Sequence, residues 1–140
     1  MMQTFLFTFR GTVVEGDYYG RVLGFPTANL DKKNYSAGGS PIPSGVYAGI
    51  ATTLHDNRVY KAGIVVGPIE KDGLPKIEAH LLDFSGDLYG KELELSLSVY
   101  LRPYRHFNGE DALKAQIKSD IEQVENLIDL HNYSVGVSGV

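Results

Sequence analysis

No cysteine occurs anywhere in the 140 residues. That removes disulfide scaffolds, thiolate metal sites and cysteine nucleophiles from consideration, and it suits a cytoplasmic protein. Long hydrophobic runs are missing as well. The apolar stretches fall well short of the roughly 20 residues a membrane span needs. The opening MMQTFLFTFRG has neither a basic leader nor a small-residue cleavage site, so it does not read as a secretory signal. Positive charge is scarce. Thirteen Lys and Arg against 17 Asp and Glu leave a net charge of −4, which argues against nucleic acid as the main partner because phosphate backbones reward dense Lys and Arg. There is no internal repeat and no low-complexity linker. The four histidines are scattered and form no metal-binding pattern.

The residues that are present point to a mainly β protein of one domain. Thr4 to Val14 sets Phe5, Phe7 and Phe9 at alternate positions, which share one face of a strand. Gly45 to Thr53 and Arg58 to Val66 are rich in β-branched and aromatic residues, and His55-Asp56-Asn57 between them suits a hairpin turn. Lys76 to Phe84 is a further strand candidate. In Glu92 to Leu101 the residues Leu93, Leu95, Leu97, Val99 and Leu101 alternate with mostly polar ones, the pattern of a sheet with one buried face. One helix is expected from about Gly109 to Leu130, with an apolar stripe of Leu113, Ile117, Ile121, Val124 and Ile128. Asn108 is placed to cap it, and Glu110 and Asp111 meet the positive end of its dipole. Short antiparallel strands followed by one helix predict a closed or nearly closed barrel with the helix outside. The domain is expected to span residues 1–131, and residues 132–140 have little to bury and are expected to form a flexible tail.

Three segments carry chemistry, and each admits two readings. In the first, Gly16, Gly20 and Gly24 precede Pro26, Thr27 and Asn29. Glycines let backbone N–H groups approach an anion closely, and Thr27 and Asn29, two apart in extended chain, point their oxygens the same way. Such a pair suits a hard cation such as Mg²⁺, whose other ligands are water and phosphate oxygens. The run equally suits a glycine-rich turn opening the next element. No G-x-x-x-x-G-K-[ST] run occurs, so a phosphate site here is not a P-loop. In the second segment, Glu78 interrupts the strand Lys76 to Phe84, with His80 and Leu82 on its side. It is either a solvent-facing residue of an edge strand or a general base beside a substrate hydroxyl. His80 alone reads more simply as a satisfied sheet residue. In the third segment, Arg102 and Phe107 lie between the last strand and the helix. They can clamp a flat polar ring, or Arg102 can instead cover the helix through a salt bridge.

In this order the segments GRVLGFPTANL, PSGVYAG, EAHLLDFSGDLYGK and YLRPYRHF resemble the riboflavin kinase family, over roughly Phe9 to Glu125. The resemblance implies a six-stranded Greek-key barrel with a C-terminal helix that uses ATP and Mg²⁺ to phosphorylate riboflavin, giving FMN and ADP. By resemblance, Gly16, Gly20, Arg21, Gly24 and Pro26 belong to the nucleotide loop, and Thr27 and Asn29 hold the metal and the nucleotide phosphates. Glu78 matches the catalytic base, Tyr89 lies near the nucleotide, and Arg102 and Phe107 belong to the loop that closes on the flavin. One stretch departs from the family: Gly67, in Val65-Val66-Gly67-Pro68, stands where related sequences usually carry a polar residue. A non-catalytic flavin- or nucleotide-binding barrel is the alternative that this departure supports. Because the chain begins directly before the kinase strand, the adenylyltransferase step to FAD is expected to be absent. A monomer is expected.

Overall fold

A computed structural model describes residues 5–15, 27–35 and 41–132. Six strands form the architecture: β1 (Phe7–Val14), β2 (Ala28–Leu30), β3 (Gly45–Thr53), β4 (Arg58–Ile69), β5 (Pro75–Leu81) and β6 (Glu92–Arg102). They close an antiparallel barrel in the order β1-β2-β5-β4-β3-β6, with β6 returning to β1. Strands β3, β4 and β5 are a meander, flanked by β2 on one side and β6 on the other, so the chain crosses the barrel between β2 and β3 and between β5 and β6. The helix α1 (Glu110–Leu127) lies outside, against β3 and β4, and a short 3₁₀ turn follows at Leu130–Asn132.

The alternation of each strand sorts its residues between two hydrophobic clusters. Phe9, Val13, Leu30, Tyr47, Ile64, Val66, Ile77, Leu93, Leu95 and Leu97 fill the barrel. Ala48, Ile50, Val124 and Ile128 form a smaller cluster between the outer surface of the barrel and α1. This double covering leaves all nine residues of β3 buried. Gly49 shows how tightly β3 and β6 approach: a Cβ there would lie 2.1 Å from the Ser96 carbonyl oxygen.

Several expectations need correction. The apolar residues of β6 do not share one face. Leu93 to Leu97 point into the barrel, whereas Val99 and Leu101 pack under the helix. Of two irregularities in the β3–β6 register, at Val46/Tyr47 and Ala48/Gly49, the one at Ala48/Gly49 causes the switch, because an extra residue on β6 rotates the side chains that follow it to the opposite face. Phe5 likewise lies ahead of β1 and packs with the outer cluster, while Phe7 and Phe9 belong to the inner one. Strand β5 stops at Leu81 rather than continuing to Phe84, as Asp83 has a left-handed φ of 60°. At the helix start Gly109, not Asn108, is the N-cap, and no side chain caps the first turn, although Glu110 and Asp111 do occupy it. The helix ends at Leu127. Ile128 leaves it in extended conformation and still buries its side chain. The β3–β4 hairpin matches its expectation: Asn57 takes φ 58° and donates to the Thr53 carbonyl at 2.8 Å.

Candidate active site

The site occupies the outward face of β2 and β5. The short β2 runs between β1 and β5, and its register sets Ala28 against Ala79, Asn29 against Glu78 and Leu30 against Ile77. Since Ala28, Leu30, Ile77 and Ala79 face the barrel interior, the alternating residues Thr27, Asn29, Glu78 and His80 face outward. Sequence spacing alone placed Thr27 and Asn29 on one side of an extended segment. The structure brings this pair directly beside Glu78 and His80. Thr27 Oγ1 lies 3.3 Å from His80 Nδ1.

Asn29 is the informative member of this row. It is only 8% exposed, and its buried Oδ1 has no hydrogen-bond partner among the described residues. An amide oxygen withdrawn from water without a partner costs free energy, so a polar or cationic ligand is the natural complement. A divalent cation bound with phosphate oxygens fits this donor set of neutral oxygens beside a carboxylate. Among the described residues no group of three His, Cys, Asp or Glu is poised to hold a metal by itself, so phosphate and water would have to complete such a coordination sphere.

Beside this row a cleft of about 350 Å³ opens between the outer face of the sheet, the β6–α1 loop and α1. That volume lies within the range of small-molecule sites, about 300–1,000 Å³. Thr27, Glu78 and His80 line one wall, and Arg102, Phe107 and Ile117 another. Glu78 retains 26% of its side-chain exposure, and the Lys76 ammonium lies 3.4 Å from its Oε1. Glu78 is therefore neither on open surface nor isolated. Val65, its partner on β4, and Gly67 both line the cleft. A Cβ at Gly67 would meet Lys76 and Tyr104 only at ordinary contact distances of 3.6 Å and beyond, so glycine here leaves room in the cleft that a side chain would fill.

Arg102 has the structural engagement that the sequence offered as one of two readings. Its Nε and Nη2 donate to the two carboxylate oxygens of Asp120 at 2.9 and 2.8 Å, and its Nη1 donates to the Pro103 carbonyl at 3.2 Å. Gln116 adds a bond to Asp120 Oδ1 at 3.0 Å. The guanidinium also sits 5.7 Å from the centre of the Phe107 ring, which Arg105 approaches to 4.6 Å from its own position. Arg102 thus ties the end of β6 to α1 and supports Phe107, and its polar edge is occupied. It reaches the cleft because the second β6 irregularity turns it outward beside Val46.

Tyr89 does not line the cleft. It is exposed in the turn before β6, and its backbone N–H bonds Asp87 Oδ1 at 2.9 Å. The adjacent Gly90 donates to the Val13 carbonyl near the end of β1, three residues before Gly16. Gly16, Gly20, Arg21, Gly24 and Pro26 lie outside the described residues. The sequence reading overlooked Lys76 and Asp120 and set His80 aside. Asp120 had a legible signal, because it lies three residues after Ile117 and four before Val124, inside the apolar stripe of α1. A carboxylate on a buried face requires a cation or donors.

Known proteins resemble this chain in sequence and in fold. A model of the flavokinase family, described as riboflavin kinase, matches residues 3–128. The chain is 39% identical over 121 residues to the RNA-binding riboflavin kinase RibR of Bacillus subtilis, covering 86% of this chain and 50% of that protein. It is 32% identical over 133 residues to the riboflavin kinase of Mus musculus, covering 92% of this chain and 85% of the mouse protein. The chain therefore spans nearly all of the mouse protein and half of the bacterial one. The crystal structure of riboflavin kinase from Trypanosoma brucei superimposes with a TM-score of 0.58 at 24% identity, over 91% of this chain and 81% of that one, a likeness of fold. With the family model matched over most of its length and the barrel and outward-facing site in place, the chain belongs to the riboflavin kinase family.

Proposed function

We propose that this chain transfers the γ-phosphate of ATP to the 5′-hydroxyl of riboflavin, giving FMN and ADP. The observation that carries the reading is the register of β2 and β5: Asn29, whose buried Oδ1 has no partner among the described residues, stands opposite Glu78 at the edge of a cleft sized for a small molecule.

Phosphoryl transfer depends chiefly on in-line positioning and on neutralising charge at the phosphate oxygens. Thr27 and Asn29 offer two neutral oxygens that would hold Mg²⁺ together with the nucleotide phosphates. When bound, Mg²⁺ neutralises charge on the β- and γ-phosphate oxygens. The glycine-rich run with Gly16, Gly20, Arg21 and Gly24, closed by Pro26, supplies backbone N–H groups from its non-proline residues to the same phosphates. Glu78 accepts the proton of the 5′-hydroxyl as that oxygen forms its bond to the γ-phosphorus and the bond to the ADP oxygen breaks. General-base assistance of this kind contributes about 10²–10⁴-fold. Lys76, with its ammonium 3.4 Å from Glu78 Oε1, holds the carboxylate in place beside the cleft. The Phe107 face and the apolar residues of α1 give the isoalloxazine ring a surface on which to lie, with Arg102 holding that wall in place. Tyr89 stands at the nucleotide end. The chain acts as a monomer, since each of these elements comes from one barrel.

The test is incubation of the purified protein with riboflavin, ATP and Mg²⁺, followed by chromatographic separation of the flavins. FMN that forms only when both ATP and the metal are present is the expected result. A protein that binds riboflavin but makes no FMN under these conditions overturns the kinase reading.

A further inference from the structure

His80 has been given no chemical role above, yet its ring lies within hydrogen-bond distance of the Thr27 hydroxyl. The register explains the meeting. Because Asn29 pairs with Glu78 and Ala28 with Ala79, the antiparallel sheet carries Thr27 to the position opposite His80. On the other side of β5, His80 faces Gly63 of β4, so no neighbouring side chain crowds the ring from that strand. Its Nδ1 lies 3.3 Å from Thr27 Oγ1. The ring also forms part of both the main cleft and a neighbouring groove of about 280 Å³ beside Leu82, Phe84 and Ile121.

A threonine hydroxyl has one proton and two lone pairs. If the imidazole donates, one lone pair of Oγ1 is consumed and the hydroxyl proton is left to point elsewhere, an arrangement suited to an anion. If the hydroxyl donates to an unprotonated Nδ1, neither lone pair of Oγ1 is spent on the imidazole, an arrangement suited to a cation. The orphaned oxygen of Asn29 on the same face calls for a donor or cation, not another acceptor, and the second sense agrees with it.

We infer that His80 is a positioning residue for Thr27. Its Nδ1 accepts the Thr27 hydroxyl proton, turning the lone pairs of Oγ1 toward the divalent cation that accompanies the nucleotide. The inference rests on the kinase reading for the identity of the ligand, but its test does not require turnover.

The test measures ADP binding by calorimetry with and without Mg²⁺, in the intact chain and in the variants His80→Ala, His80→Asn, Thr27→Ala and the double variant. Loss of one orienting hydrogen bond predicts that His80→Ala weakens Mg²⁺-dependent ADP binding by about three- to tenfold and leaves metal-free ADP binding unchanged. His80→Asn, whose side-chain oxygen takes the place of Nδ1, restores most of the loss. In the Thr27→Ala background, removal of His80 has no further effect on Mg²⁺-dependent binding, because the group it orients is gone. Independent, additive losses would overturn the inference, as would an equal loss with and without Mg²⁺. If wild-type protein forms no FMN but the cycle is non-additive, the kinase reading fails and the positioning role survives. If FMN forms and the cycle is additive, the reverse holds.

Discussion

Two outward-facing polar pairs sit on adjacent strands of this barrel and differ in almost everything except their spacing. On β1 and β6, Arg10 faces Glu94 and the two form a salt bridge at 2.8 Å, with 55% and 30% of their side chains exposed. On β2 and β5, Asn29 faces Glu78, and the row they belong to borders a sheltered cleft. Both pairs follow from the same period-two alternation that fills the barrel with leucine and valine. What separates them is cover. The Arg10 side chain is more than half open to solvent, whereas α1 and the β6–α1 loop build a wall beside Glu78. A charged pair in water is worth little, while a polar group withdrawn from water without a partner must be given one. Chemistry is therefore expected on the covered part of the outer face, and simple solvation on the open part.

The sharpest way to break this comparison is Glu78→Gln. It should retain ATP and riboflavin binding while turnover falls by about 10²–10⁴-fold, and single-turnover kinetics alongside calorimetry would expose a failure on either count. Next in size is Asp120→Ala, which leaves Arg102 without its bidentate partner where the pair is only 18% and 9% exposed. Breaking a mostly buried ion pair costs about 3 kcal/mol, so the urea midpoint should drop clearly. The apparent affinity for riboflavin should fall more than that for ATP, because this pair holds the Phe107 wall. Thr27→Ala should weaken Mg²⁺-nucleotide binding by about tenfold, the loss of one charge-assisted contact, with unfolding little changed. Unaltered nucleotide affinity in that variant would remove Thr27 from the metal and phosphate site.

The remaining predictions concern the open surface and are deliberately small. Arg10→Ala should change stability by less than about 1 kcal/mol and leave activity intact. A loss of activity there would mean that the two faces are not functionally distinct. At the far hairpin, the Thr53 hydroxyl, joined by the Arg58 backbone N–H, holds the Asp56 carboxyl below its ordinary range. A carboxyl lowered on folding stabilises the protein above its unfolded pKa, and this contribution fades as pH falls through the lower folded value. Thr53→Val should accordingly lose stability at pH 6 and progressively less of it below about pH 4, measured by denaturant melts at each pH.

Much of the fold was legible because β-strands advertise themselves through alternation. The limits of β3 agree with expectation, and the turn at Asp56-Asn57 follows from local turn chemistry. The short β2 was not assigned as a strand. Three residues are too few for periodicity to register, and its existence depends on pairing with β1 and β5. The split of the β6 stripe was hidden for a similar reason, since a bulge is a property of two strands and leaves no mark on the spacing of one. Glu78 drew notice as a carboxylate in an apolar strand. Lys76 and His80, on the same face of the same strand, looked ordinary until their neighbours were known.

By itself, then, the order of residues determined the classes of structure available. Alternating and helical apolar patterns specify which side of each element is buried, and the ordered motifs around Thr27, Glu78 and Arg102 identify the family. Only the tertiary structure decided which polar residues meet. Thr27 lies 53 positions from His80, and Arg102 lies 18 from Asp120. Contacts at such separations are set by strand register, bulges and the docking of α1, because the energy of a polar side chain depends on its partner and its cover, which no local pattern encodes.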